Sequence, residues 1–456
     1  MSETISTRIY TTKDKLIWAL AQFGTSIIQG VFATTTVIFY HVYLALDPFY
    51  IGIAATIYAI WNALNDPIFG YISDRTRTKL GRRIPFMRFT APFLALTFIL
   101  FWLVPVDFPQ LSIFLWMLIL MSLYDTCFTI IGLVYAALLP ELSEDDHVRG
   151  QFQQFSSLFY LIGVIFGFFI PELVRPAEGS TNLVPLYVGM AGVGIIGAIC
   201  IIITTYRFKE RPEFTVVDKP LGLKDSIKHT FKSKAFLILT AANFMSILFQ
   251  QILLSYMFYL ADYVMKVSTL ILLVALILGL IVGVFITNTL SKKFGVVQAN
   301  QIHLGIGAIF LLILPFVPSI LVYLCLFIGG LGLAGPLVLT NVLYGQVTDE
   351  DEIKSGVRRE AAFFGTNAML TKPAQSVAIG IGPWLVTIAG FIITETEQSF
   401  RAQFMIKVLI GLIPGIAMLI AVIILLFYPL SGDYLKEVQE KVLGMHAEKH
   451  EKLKSI

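Results

Sequence analysis

The chain has 456 residues, of which 57% are hydrophobic and only 14% charged, and its mean hydropathy is +0.80. A soluble domain carries roughly 25% charged residues, so this composition excludes an ordinary water-soluble fold. The net charge of +3 says little by itself, and no nucleic-acid partner is expected.

Apolar runs long enough to cross a bilayer, about 20 residues each, recur from end to end. They predict twelve spans near 15–44, 49–72, 86–105, 110–139, 151–173, 183–206, 235–263, 267–289, 299–317, 319–346, 360–391 and 402–428. A β-barrel would show ten-residue alternation instead. The opening MSETISTRIYTTKDK is polar, with no signal-peptide pattern, so the first apolar segment reads as a retained span. Cys127, Cys200 and Cys325 all sit in apolar segments and suggest no disulfide framework.

The loops alternate in charge. Residues 73–88 hold Arg75, Arg77, Lys79, Arg82, Arg83 and Arg88, and residues 207–234 hold eight Lys and Arg, among them Arg211, Lys219, Lys224 and Lys228. Lys292 and Lys293 fall in the loop at 290–298, and the tail carries Lys436, Lys441, Lys449, Lys452 and Lys454. The intervening loops are short and poor in Lys and Arg. The positive-inside rule therefore puts the basic loops and both termini in the cytoplasm, and the cell membrane is the expected location.

The 207–234 loop divides the spans six and six. The expected organisation is a bundle at 1–206, a middle loop at 207–234, a second bundle at 235–428 and a cytoplasmic tail at 429–456. The halves repeat: LLPELSEDDHVRGQF after span four matches YGQVTDEDEIKSGVRREAAFF after span ten in kind, a helix end, an acidic cluster and an arginine. Two similar six-span halves mark an alternating-access transporter with its solute site between them. The tail reads either as a cytoplasmic helix or as a disordered end.

Within span two, Asp66 lies nine residues before Arg75, about 14 Å of helix. An ionised carboxylate at that depth costs several kcal/mol, so it faces a cavity or a partner. Carboxylate oxygens suit Na⁺, and a carboxyl group in apolar surroundings can carry H⁺. The alternative is an Asp-Pro helix break held by a static ion pair. Asn62 is one turn earlier on the same face. Lys372 lies 12 residues, about 18 Å, past the start of span eleven. Asp125 sits in the middle of span four.

WNALNDPIFGYISDRTRTKLGRRIPF, with YAALLPELSEDDHVRGQ and VTDEDEIKSGVRREAAFFGTNAMLTKP, resembles the glycoside–pentoside–hexuronide cation symporters, the melibiose-permease-like branch of the major facilitator superfamily. The lysophospholipid symporter branch is similar. The resemblance covers both halves. It implies an all-α membrane protein with twelve transmembrane helices in two pseudo-symmetric six-helix bundles, a monomer in the lipid bilayer, whose partners are a small solute and a coupling cation.

It also implies roles. Asp66 and Asn62 match two family positions that are usually both Asp, so the departure at Asn62 counts against Na⁺ and toward a one-carboxylate H⁺ site, with both ions kept open. Lys372 matches a lysine near the cation site and would pair with Asp66 and compete with the transported ion. The family's span-four carboxylate falls on Gly132. Asp125, two turns away, either substitutes for it or pairs elsewhere. Sugar-binding members use a Lys-Asp pair that falls here on Thr25 and Ser26, and a span-five arginine that is absent. Gln29, Gln153 and Gln154 are the remaining polar candidates. Gln250 and Gln251 either line the cavity or satisfy helix–helix hydrogen bonds.

Gly70, Asp74, Arg75, Gly81, Arg82 and Arg83 resemble the superfamily's span-two gate motif, with Glu141, Arg149, Asp349, Glu352, Arg358 and Arg359 as partners across the inner face. The function expected is cation-coupled symport of a sugar-like solute, with a lipid or other amphipathic solute as the alternative. A receptor or scaffold that kept the fold is the rival of a different class. No cofactor or metal beyond H⁺ or Na⁺ is expected. An enzyme is not, because no nucleophile–base set, metal cluster or nucleotide loop is present: GGLGLAGP at 329–336 lies inside span ten.

Overall fold

The computed structural model describes residues 10–105, 107–143, 145–174, 182–210, 229–392, 395 and 397–454. Arg211, Lys219, Lys224 and Lys228 of the middle loop lie outside these.

Twelve long helices carry the described residues. They are α1 Thr12–Ile38, α2 Pro48–Arg75, α3 Ile84–Trp102, α4 Gln110–Leu142, α5 Asp146–Leu173, α6 Val184–Arg207, α7 Lys234–Leu260, α8 Thr269–Phe294, α9 Val296–Ile313, α10 Ser319–Ser355, α11 Glu360–Ile388 and α12, which runs from Phe400 to Leu426 through a π turn. A thirteenth, α13 Gly432–Lys454, is polar. Ten are long and apolar enough to cross a membrane. The other two of the twelve, α2 and α11, carry Asn62, Asp66 and Lys372.

Local chemistry explains the helix starts. Thr11 accepts from Asp14 N while Asp14 accepts from Thr11 N, a reciprocal cap on α1. Asp47 caps α2 ahead of Pro48, and Asp145 caps α5. α10 ends at Gly356, whose φ of +73° is the left-handed conformation that closes a helix.

Packing repeats with a period of six helices. In the first half α1 packs on α5 and α6, α3 on α4 and α6, and α2 on α4. In the second α7 packs on α11 and α12, α9 on α10 and α12, and α8 on α10. Each half has a buried apolar cluster, and that of the second half also takes in Leu133, Ala137 and Leu161 of the first. The halves meet along α2/α11 and its counterpart α8/α5, with α4 and α5 also reaching α10. Large apolar side chains such as Phe89, Phe93, Ile119, Leu270 and Ile320 stay exposed, as a lipid-facing surface requires.

Two of the boundaries that differ from expectation have a clear physical cause. The tenth span was expected to end at 346, where the acidic residues begin. α10 continues to Ser355 because those acids are neutralised where they emerge: Asp349 by Arg149, Asp351 by Arg359 and Glu352 by Arg358. The fifth helix likewise starts at Asp146 rather than 151, on the Asp145 cap.

Candidate functional site

Tyr58, Asn62, Asn65 and Asp66 fall at helical spacing on one face of α2. That face meets α11 and α4. Close approach of α2 to α11 depends on two glycines: a Cβ on Gly365 would stand 2.7 Å from the Asp66 carbonyl oxygen, and one on Gly70 would stand 2.6 Å from that of Ala361. With both helices in contact, Lys372 reaches across. Its ammonium donates to the Asn62 carbonyl and Oδ1 and pairs with the Asp66 carboxylate. Asp66 is buried, with Thr129 of α4 beside it.

Asp125 stands one turn before Thr129. Its carboxylate accepts from Tyr58 Oη at 3.0 Å and from Asn65 Nδ2 at 2.6 Å, with Lys372 and Asp66 in electrostatic reach. Gly132 has open space where a side chain would be. With both carboxylates ionised, the group Asp66, Asp125 and Lys372 has a net charge of −1. One monovalent cation would neutralise it. Nothing in the sequence set apart Asn65, Tyr58 or Thr129: polar groups one turn from a charge carry no pattern of their own.

Further along α11, Asn367 opens onto a cavity of about 260 Å³ between α1, α5, α7, α10 and α11. Carboxamides dominate its wall: Gln22, Gln153, Asn243, Gln250, Asn341 and Asn367, with the hydroxyls of Ser156, Ser157, Tyr160, Ser246 and Thr340 between them. No charged side chain lines it among the described residues. The halves touch at its edge, where Asn341 donates to Gln153 at 3.3 Å. Of the expected cavity residues, Gln153 and Gln250 line it. Thr25 and Ser26 are buried and return their hydroxyls to carbonyls of their own helix. Gln29 is exposed, Gln154 donates to the Phe285 carbonyl on α8, and Gln251 donates to Ser255. An apolar groove of about 460 Å³ runs along the far end of α2, past Phe49, Gly52, Ile53, Thr56 and Ile57.

Gln153 is one helical turn beyond Arg149, so the cavity ends directly on a charge network at the basic-loop end. Arg82 pairs with Glu141 and with Glu360 at 3.0 Å, and donates to the Arg358 carbonyl at 2.9 Å. Arg83 pairs with Asp74 at 3.2 Å, Glu141 at 2.6 Å and Glu360. Asp74 accepts from Ala362 N at 2.8 Å, so a carboxylate on α2 caps the N-terminus of α11. Arg149 pairs with Asp349 at 2.8 Å, and Arg358 donates to the Pro140 carbonyl at 3.0 Å. All of these except the Glu141 and Asp74–Arg83 pairs join the two halves. Arg75 lies outside the network, its guanidinium on Tyr71.

Glu360 and Glu210 are central and were not singled out in the sequence. Glu210 stands over Gly81, whose φ of +109° turns the loop toward it. It accepts from the backbone N–H of Arg82, Arg83 and Ile84 at 2.6–2.8 Å, capping α3, which has no side-chain cap of its own. Burial and the nearby Glu141 push its carboxyl above the ordinary range, against the pull of those amides.

A family model described as MFS/sugar transport protein matches residues 17–432. The chain belongs to that family. It is 24% identical over 436 residues to the sodium-dependent lysophosphatidylcholine symporter 1 of Xenopus tropicalis, covering 86% of this chain and 82% of that one. It is 23% identical to the sphingosine-1-phosphate transporter MFSD2B of the same organism, covering 86% and 83%. The crystal structure of the E. coli fucose:proton symporter FucP aligns with a TM-score of 0.69 at 13% identity, over 93% of this chain and 100% of that one. This member is therefore an integral, multi-pass membrane protein of the major facilitator fold.

Arg82 is fully buried and touches both halves. Breaking such a pair on one side costs about 3–5 kcal/mol. We expect Arg82→Ala, in a variant lacking the three native cysteines, to speed labelling of a cysteine placed at Ser246 by an impermeant thiol reagent added on the basic-loop side. An unchanged rate would show that the network does not hold that end shut.

Proposed function

We propose that this chain is a secondary active symporter that couples a monovalent cation, H⁺ or Na⁺, to a small uncharged solute of the sugar or glycoside class. One observation carries the reading: the Lys372 ammonium of one half is held by Asp66 and Asn62 of the other, beside a second carboxylate, Asp125. A half-buried charge pair between two bundles is a poor source of stability, but it is a contact that an incoming cation can replace.

In this account the basic-loop end is cytoplasmic by the positive-inside rule. The closed network below the cavity then corresponds to an outward-facing state. A cation entering between Asp66, Asp125 and Asn62 displaces Lys372. Lys372 and Asn367 are five residues apart on α11, about 7 Å, so the freed α11 can tighten on solute in the cavity. The units 1–206 and 235–428 then rock about the site, and the network of Arg82, Arg83, Arg149, Arg358 and their acids breaks to open the cytoplasmic side.

The cavity's chemistry supports the solute class. Carboxamides and hydroxyls both donate and accept, which suits a ring of hydroxyl groups. Among the described residues, the lining offers no fixed charge to a phosphate or ammonium headgroup.

A second reading, an amphipathic lipid solute, is favoured by the two lipid-carrying relatives and by the apolar groove on α2. Thermal shifts of the detergent-purified protein separate them. We expect neutral glycosides, and not lysophosphatidylcholine, to raise the melting temperature by a few degrees; the reverse result would favour the lipid.

Asp66→Asn removes the carboxylate paired with Lys372. We expect it to abolish gradient-driven accumulation in proteoliposomes while solute exchange at equilibrium persists. Full accumulation by this variant would refute the coupling role.

A further inference from the structure

The polar helix α13 follows the last span and has no part in the scheme above. It is not a solvated tail. Val438, Val442, His446 and Lys449 fall on one face at helical spacing, and all four are buried, His446 to 1% and Lys449 to 7% exposure. An ordinary surface helix leaves its lysines and histidines in water. The apolar part of this face belongs to the buried cluster of the second half. The polar part ends on Glu352 of α10, which accepts from Lys449 at 2.7 Å and contacts His446 Nε2 at 2.9 Å.

Glu352 is not an idle partner. It also accepts from Arg358 at 2.7 Å, and His446 Nε2 lies 3.0 Å from the same guanidinium. Arg358 is the arginine that crosses to the Pro140 carbonyl of the first half. So α13 braces, from behind, one of the side chains that joins the halves. It also crosses the seam itself. Gln439 donates to Asp146 Oδ2 at 3.1 Å, the same oxygen that Gln346 of α10 reaches at 2.6 Å. Asp146 is the first residue of α5 and pairs with Arg149 at 3.3 Å.

We propose that α13 is a strap: anchored on α10 through Glu352, it reaches over the closed cytoplasmic gate to Asp146 and holds the two halves together there. The strap rides with the second half when the halves rock, so every opening breaks the Gln439–Asp146 bond. It sets how readily the inner side opens, without touching solute or cation. The inference rests on the gate reading above.

The test uses the full-length chain, with the native cysteines replaced and a cysteine at Ser246, labelled from the cytoplasmic side. Gln439 is only partly buried, so Q439A should fold with an unchanged melting temperature. Loss of one such hydrogen bond should raise the labelling rate about fivefold. K449A, which weakens the anchor, should act in the same direction. An unchanged rate in Q439A overturns the strap whatever K449A does. Arg82→Ala is the reference. If it speeds labelling and Q439A does not, the gate stands and the strap fails. If neither does, the gate reading fails and the strap with it.

Discussion

An ammonium group half-buried between two helix bundles is stabilised by negative charge within its reach, and here that charge comes from across the seam. Lys372 meets that demand by lying on Asp66 and Asn62 of the opposite half. The geometry follows from sequence at several levels. Glycines at 70 and 365 bring α2 and α11 together, helical spacing puts Asn62, Asn65 and Asp66 on the shared face, and α4 adds Asp125 and Thr129 behind them. With both carboxylates ionised, two acids against one lysine leave the group one positive charge short of neutrality, the deficit that the proposed coupling cation would fill.

The same two helices connect that site to the rest of the molecule. Along α11, Glu360 belongs to the charge network, Asn367 to the cavity and Lys372 to the proposed cation site, within 12 residues or about 18 Å. Along α2, Asp66 and Asp74 sit two turns apart, the first on Lys372 and the second capping α11. In the proposed mechanism, a change in how closely α11 lies on α2 at Lys372 carries to the network and the cavity wall through these two helices. The other seam, α8/α5, repeats the α2/α11 pairing without counterparts to Asp66 and Lys372, so the pseudo-symmetry of the two halves is broken at that pair.

Much of this was legible in the sequence, for definable reasons. Twelve apolar runs show as helices because a helix satisfies every backbone polar group within its own segment in lipid. Asp66 and Lys372 stand out because charges are rare in such runs. The arginines of the network were visible for the same reason, at the span ends. What could not be read has physical causes too. Glu360 is hidden in a run of charges and Glu210 in a basic loop, and their roles come from folding: one reaches three arginines, the other three backbone amides. Thr25 and Ser26 satisfy their hydroxyls within α1, which no spacing reveals. The extension of α10 to Ser355 depends on arginines distant in sequence. The tail was open between helix and disorder because its apolar face is only as wide as the strip of α10 that it covers.

The claim on which everything else depends is that Lys372 and the coupling cation compete for one carboxylate. Equilibrium titration of the purified protein with Na⁺ and with protons, wild type against Lys372→Gln, tests it directly. The account predicts that one of the two cations binds about tenfold more tightly or better once the internal ammonium is gone. Unchanged affinity for both would contradict it, and would leave Lys372 as a fixed tie between the two halves.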